Sequence, residues 1–484
     1  MQKIRSVKFN FIMNLILTGS NFLFPLITFP YVSRILQPEG TGKVAFATSF
    51  VTYFVMFASF GVANYGVRAI AQARDNKNTL TKVTHEILFI NIIMMFFAYG
   101  IFVLTLFFSG KLWQERILLN ISSLLIFFTI IGVEWFYKGV EQYQYITIRT
   151  IVLRLIALVA TFIFINSKED YISFAIISIF AAVGSSIINL INLRKYIDFK
   201  LYNHYEVLRH IKPMFLLFLT SFAIAVYTNT DATMLGFMRN DTDVGYYNAA
   251  IRIKAILLSI VTSLGVVLLP RLSYYIQHNM TEEFNSALNK SVNFIMLMAL
   301  PVAIFFVLFA KETILVLAGS SYLEAVFPLQ IVMGTVLFIG ITNILGIQIL
   351  LPLKRDGALL ISVICGAIVD IILNLFFIPK FGATGAAIST TTAEFTVLLI
   401  QCIFVKNYLK VLFSNIQYVK ITVALIVSAC FTKWLLSAVN YSELLVLVLA
   451  ALVFFSLYLI LLVLTKEKFL FENIFMQIKH KVKH

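Results

Sequence analysis

Fourteen uninterrupted apolar runs dominate this chain and leave it few ways to fold. They lie at about 9–36, 44–65, 86–108, 117–136, 143–165, 171–193, 213–237, 246–269, 292–309, 326–351, 358–378, 385–405, 421–436 and 444–464. A bilayer core of about 30 Å is crossed by about 20 apolar residues, each rising about 1.5 Å along a helix. Membrane-spanning strands would instead alternate in character over about ten residues. These runs are continuous, so helices are expected. Composition agrees: 60% of the 484 residues are hydrophobic and 13% are charged, with a mean hydropathy of +0.92, whereas soluble domains carry about 25% charged residues. A water-soluble globule cannot hide that much apolar surface and still charge its exterior. Soluble enzymes, disordered regulators and secreted disulfide scaffolds are excluded. The expected fold class is an all-α polytopic membrane protein with about fourteen transmembrane helices.

The first run is about 28 residues long and is followed by no small-residue cleavage site, so it reads as a retained helix rather than a signal peptide. Pro25 and Pro30 inside it predict a bend, and Pro301 predicts another in the ninth run. Orientation follows from the basic residues. With a cytoplasmic N-terminus, the inward segments 1–8, 68–82, 138–142, 194–212, 271–290, 354–356, 406–420 and 466–484 hold 25 of the 38 Lys and Arg, and the outward segments hold 9. That is the bias of inside loops. An even number of helices returns the C-terminus, with Lys479, Lys481 and Lys483, to the same side. The net charge of +15 is therefore read as loops facing anionic lipid and not as a nucleic-acid surface, because the cations never cluster.

The longest inward loop, 194–212, divides six helices from the next six. Weak self-similarity supports two pseudo-symmetric lobes. Residues 34–47 and 234–250 each carry a helix end, a short polar loop, then Gly42 or Gly245 and an Ala-bearing helix start. Parallel repeats of this kind are common in transporters. The expected organisation is a first lobe at 1–193, a cytoplasmic linker at 194–212, a second lobe at 213–410, and two appended helices with a cytoplasmic tail at 411–484.

Bond chemistry finds no support in the residues. The segment Gly40-Thr41-Gly42-Lys43 fails the phosphate-loop pattern. The six histidines read as solvated residues of loops and helix ends, no metal-ligand spacing occurs, and no cofactor is expected. Cys365, Cys402 and Cys430 read as small apolar packing residues. The protein is expected to be a mover of substrate and not an enzyme.

Charges inside the apolar runs point to that substrate. A charge at the bilayer centre costs about 2.5–3.5 kcal/mol on insertion scales, so it usually faces a cavity or a partner. Arg154 and Glu394 lie deepest, Arg154 about 17 Å into its helix. Both are read as lining a watery cavity or forming a buried pair. Glu134 and Arg149 lie on adjacent helices, where a structural salt bridge and a functional role are equally open. Arg252 and Lys254 cannot share a face; Arg252 is expected to point inward. Asp231 lies nearby. Asp370 and Asn374 share a face, as a coordinating pair or a polar helix contact. Cations in a two-repeat bundle favour an anionic substrate, and the forked guanidinium suits phosphate.

The opening motifs are more specific. Phe29-Pro30-Tyr31-Val32-Ser33-Arg34-Ile35-Leu36 is followed by Gly42, Phe46-Ala47, Ser49, Tyr53-Phe54, Gly61 and Tyr65-Gly66-Val67-Arg68-Ala69-Ile70-Ala71. The second half carries Asn229, Asp231, Met234-Leu235-Gly236 and Val244-Gly245-Tyr246-Tyr247-Asn248-Ala249-Ala250. Farther on stand Asn374-Leu375-Phe376-Phe377-Ile378-Pro379, Gly382, Gly385-Ala386-Ala387 and Ala393-Glu394. Across about 1–410 this resembles the bacterial oligosaccharide flippase family, which moves O-antigen, capsule and related repeat units and shares a superfamily with MATE drug exporters and lipid II flippases. Gln37-Pro38 departs from the family's usual Leu-Gly. The resemblance implies alternating access and a cargo of oligosaccharide on undecaprenyl diphosphate, carried from the cytoplasmic to the outer leaflet of a bacterial inner membrane for cell-surface polysaccharide. Candidate substrate-binding residues are Arg34, Arg68, Arg149, Arg154, Arg252 and Lys254; candidate ion-coupling residues are Asp231, Asp370 and Glu394. The implied partners are membrane lipid and the lipid-linked glycan, with a glycan polymerase or glycosyltransferases as further candidates. A MATE-type cation-coupled drug exporter and a non-transporting scaffold for glycan assembly are the alternatives.

Overall fold

The computed structural model describes residues 6–200, 202–414, 416–437 and 442–470; Lys479, Lys481 and Lys483 of the expected tail lie outside the described residues. Among the described residues there is no strand, and thirteen helical stretches are long and apolar enough to cross a membrane. The first stretch, Phe9–Ala73, has 65 residues, about 100 Å at the helical rise and far more than one crossing needs. Its backbone leaves the helix at Gln37 (φ 58°, ψ −179°). Dividing it there restores the expected fourteen segments, so the chain is a polytopic all-helical membrane protein. Pro38 follows the break, and a proline suits the first turn of the next helix because its missing N–H has no partner to lose. The polar loop expected between the first two runs therefore shrinks to little more than one residue. Elsewhere in α1 (Val7–Ser59) the φ/ψ angles stay helical, Pro25 and Pro30 included, so neither proline breaks the first helix.

The chain forms two compact units, 1–245 and 246–484. In the first, α1 is the central helix. It is followed by α2 (Val62–Ala73), α3 (Lys77–Phe108), the short α4 (Gly110–Gln114), α5 (Arg116–Ile131), α6 (Glu134–Gly139), α7 (Tyr143–Phe164), α8 (Tyr171–Val183), α9 (Ser185–Leu193) and α10 (Leu208–Met238). Helices α3, α5, α7, α8 and α10 all pack on α1. Helix α10 follows the 194–212 linker in the chain, yet it belongs by contact to the first unit.

Two ends of this unit are closed differently. At the end holding the turns near residues 75, 141 and 195–207, Glu86 is fully buried. It accepts hydrogen bonds from the Glu206 backbone N–H (2.6 Å), Arg209 Nη2 (2.7 Å) and His210 Nε2 (2.8 Å). Tyr65 Oη lies 2.7 Å from His210 Nδ1. Lys82 holds the Glu206 carboxyl below its usual range. A carboxylate as buried as that of Glu86 is tolerable only because several donors replace its water.

At the opposite end, backbones meet. A Cβ on Gly42 would lie 1.7 Å from the Asp241 carbonyl oxygen, and one on Gly245 would lie 2.0 Å from that of Pro38. The two glycines matched in the sequence repeat thus face each other. Lys111 bridges the same place, donating to the Gly236 carbonyl and to Asp241 Oδ1 (2.8 Å).

Helix α11 (Asp241–Gln277) runs from the first unit into the second. The second unit continues with α12 (Thr281–Leu308), α13 (Ala310–Leu317), α14 (Val326–Thr342), α15 (Asp356–Phe381), α16 (Ala383–Phe404), α17 (Lys406–Phe413), α18 (Tyr418–Ser437) and α19 (Glu443–Leu464). Helix α12 continues through Pro301. After α14 the chain widens into a π-helix at Asn343–Leu350, which no sequence signal announced. Helices α15 and α16 form the closest hairpin, and α14 packs on α16 and α12. The final pair, α18 and α19, packs together and onto α12, with α19 also against α13, as an appendage should.

Candidate functional site

Helix α7 carries two arginines five residues apart, which sets them about 140° apart around the helix axis. Their surroundings differ accordingly. Arg154 faces α1: its Nη1 donates to Ser20 Oγ and its Nη2 to Asn21 Oδ1 (2.5 Å). Beside it lies a cavity of about 210 Å³ lined by Asn14, Thr18 and Asn21 of α1, Glu134 and Lys138 of α6, and Thr150 and Arg154 of α7, among others. Lys138 Nζ is 2.9 Å from Glu134 Oε1. Two cations against one carboxylate leave the cavity with a net positive charge. A guanidinium fixed by two neutral acceptors keeps its charge and its other donors for a ligand.

Arg149 is 7% exposed and lies between two rings, 5.1 Å from the Tyr145 centroid and 5.8 Å from that of Tyr137. The ring hydroxyls point elsewhere: Tyr137 donates to the Asn189 carbonyl (2.6 Å) and Tyr145 to Asn189 Oδ1 (3.2 Å). All three guanidinium nitrogens are buried from water and reach no acceptor among the described residues. The Glu134–Arg149 salt bridge left open by the sequence does not form; Glu134 pairs along its own helix with Lys138. Burying an unpaired charge costs several kcal/mol, more than a desolvated cation–π contact of about 2 kcal/mol returns. Arg149→Met should therefore raise thermal stability by about 1 kcal/mol or more in detergent while impairing transport. A lower melting temperature would show that the arginine is structural.

The remaining candidates are spread through both units. In the first, Arg34 donates to the Pro30 carbonyl of its own helix (2.7 Å), Arg68 is exposed on α2, and Asp231 is buried on α10. In the second, Arg252 and Lys254 both lie on α11, with Lys254 buried. Asp370 is buried on α15 and accepts a hydrogen bond from Asn374 Nδ2 (3.3 Å), a polar contact within one helix. Glu394 is buried on α16. Of this set, Arg154 lines the polar cavity, while Arg149, on another face of the same helix, lies among rings outside its lining. The sequence reading missed the Glu86 cluster. Its histidine, His210, is buried and not solvated as expected, and so is His85; a carboxylate at the edge of an apolar run gave no hint of its depth.

Residues 7–276 match the family described as polysaccharide biosynthesis protein. The chain belongs to that family. Within reach of this polysaccharide biosynthesis family stands a protein of Escherichia coli (strain K12) described as an O-antigen transporter, 26% identical over 411 residues, covering 83% of this chain and 97% of the relative. The fold is similar to that of the lipid II flippase MurJ in an inward closed conformation (TM-score 0.74, 16% identity, 93% of this chain and 98% of the other). It is also similar to an inward-facing multidrug resistance MATE transporter (TM-score 0.63, 14% identity, 81% and 94%).

Proposed function

We propose that the protein is a flippase that carries an undecaprenyl-diphosphate-linked oligosaccharide from the cytoplasmic to the outer leaflet by alternating access, for cell-surface polysaccharide biosynthesis. The observation that carries this reading is the cavity at Arg154. A forked cation deep in an apolar helix, held by neutral partners beside a polar chamber, suits a phosphate that must cross oil. Arg149, on another face of α7 and outside the lining of that cavity, is a second buried cation whose donors reach no acceptor among the described residues. The buried carboxylates Asp231, Asp370 and Glu394 are the candidates for ion coupling, and the bias of basic residues supports cytoplasmic termini in a bacterial inner membrane. The names of the relatives favour glycan cargo, and the positive balance of the cavity disfavours a cationic drug.

The test is reconstitution into vesicles with a fluorescent undecaprenyl-diphosphate oligosaccharide added to one leaflet. Its appearance in the opposite leaflet is expected. Transport of cationic dyes with no movement of the diphosphate lipid would refute the reading.

A further inference from the structure

A second depression lies along the same pair of helices as the Arg154 cavity. It is an apolar groove of about 380 Å³ between α7 and α8, lined by Ile156, Ala160 and Phe164 on one wall and by Ser173, Ile177 and Phe180 on the other. Spacings of four on α7 and of three and four on α8 put each set on one helix face. The small residues Ala160 and Ser173 make the depression, and the exposed Ile156, Phe164 and Phe180 form its rims. From Ile156 to Phe164 it runs about 12 Å.

The groove lies next to the polar cavity along both helices. Leu153, which lines the cavity, stands three residues before Ile156 and seven before Ala160, on the same stripe of α7. Ala181, also a cavity residue, stands four residues after Ile177 and eight after Ser173, on one stripe of α8. Along the antiparallel pair the two depressions are therefore neighbours, cationic and polar at Arg154 and apolar toward Phe164. Their polarity matches an amphiphile with an anionic head and a hydrocarbon tail.

We propose that the α7–α8 groove is a binding site for the isoprenoid tail of a polyprenyl phosphate lipid whose head is held at Arg154. This rests on the flippase reading, because it assigns that substrate's tail to a seat. Small side chains flanked by branched and aromatic rims fit a chain with regularly spaced methyl branches. With a cytoplasmic N-terminus, the polar end lies on the cytoplasmic side of the groove, and the groove occupies the outer half of α7, where a tail would trail behind a head that has reached Arg154.

The experiment is equilibrium binding of undecaprenyl phosphate to the full-length protein in nanodiscs, read by native mass spectrometry against phosphatidylglycerol, with no transport step. Wild type should retain undecaprenyl phosphate in preference. Ala160→Trp fills the groove from an apolar, lipid-facing position and should weaken that binding about tenfold, leaving phosphatidylglycerol unchanged; Ala160→Leu should do the same more weakly and serves if the tryptophan variant folds poorly. Undecaprenol, which lacks the phosphate, should keep its sensitivity to Ala160→Trp and lose any to Arg154→Ala. Equal retention of phosphatidylglycerol, or undiminished undecaprenyl phosphate binding in both Ala160 variants, would overturn the site. Binding that behaves as expected in a protein that flips no glycan lipid would instead overturn the flippase reading alone.

Discussion

Arg154→Ala should lower transport of the diphosphate-linked oligosaccharide about a hundredfold while leaving the protein folded. The guanidinium sits on α7 with two of its donors committed to Ser20 and Asn21 of α1. Those acceptors are neutral, so the positive charge is not spent on them. A phosphate entering the cavity would accept the remaining donors, and each charge-assisted bond is worth about 1.5–3 kcal/mol. Losing one or two of them corresponds to roughly a hundredfold. Folding should survive because Asn21 lines a polar cavity and can be rehydrated there, and Ser20 keeps its hydrogen bond to the Leu17 carbonyl (2.7 Å). Arg154→Lys should recover little, since a single ammonium cannot span both acceptors and also present a fork to phosphate. Flipping rates in vesicles, together with polymer at the cell surface and unchanged expression, provide the measurement. Full polymer export by the alanine variant would remove Arg154 from the substrate path.

Gly42→Ala should be among the most damaging single changes to stability. The added methyl would sit 1.7 Å from the Asp241 carbonyl oxygen and 2.8 Å from the Gly245 nitrogen. These are backbone atoms, which cannot swing aside like a long side chain. Overpacking typically costs about 1–3 kcal/mol and occasionally more, and this contact belongs at or above the top of that range. Gly245→Ala meets the Pro38 carbonyl at 2.0 Å in the same junction. Because both changes push apart one pair of segments, the double variant should cost clearly less than the sum of the two. Melting of the detergent-solubilised protein, followed by size-exclusion fluorescence, reads both effects. A Gly42→Ala protein that melts with wild type would mean that the junction yields easily. The strained backbone at Gln37 lies beside this contact, and such angles, at about 1–3 kcal/mol each, persist only where the surroundings impose them.

The cluster around Glu86 shows where sequence reading stops. Glu86 opens the third apolar run and His210 precedes the seventh, positions where charged residues ordinarily meet water. They lie 124 positions apart, and they come within 2.8 Å where residues 205–210 pack against α3. Arg149 teaches the same lesson in reverse. Its place on a helix next to that of Glu134 was legible, but Glu134 turned to Lys138 four residues on, because that pairing lies along one helix and needs no tertiary alignment. The tyrosines that flank it carry no charge and so gave no signal.

The helices, their number and the depth of Arg154 were determined by the sequence alone, because in hydrocarbon each backbone polar group must be satisfied within its own segment and each isolated charge stands out against its run. Tertiary structure decided which charges meet and where space remains between helices. It joined Arg154 to Ser20 and Asn21, left Arg149 among rings, set Gly42 against Gly245 and opened the crevice between α7 and α8. Those outcomes depend on rotation and close approach of whole helices, and an apolar run reads the same in sequence whichever of its faces turns toward a neighbour.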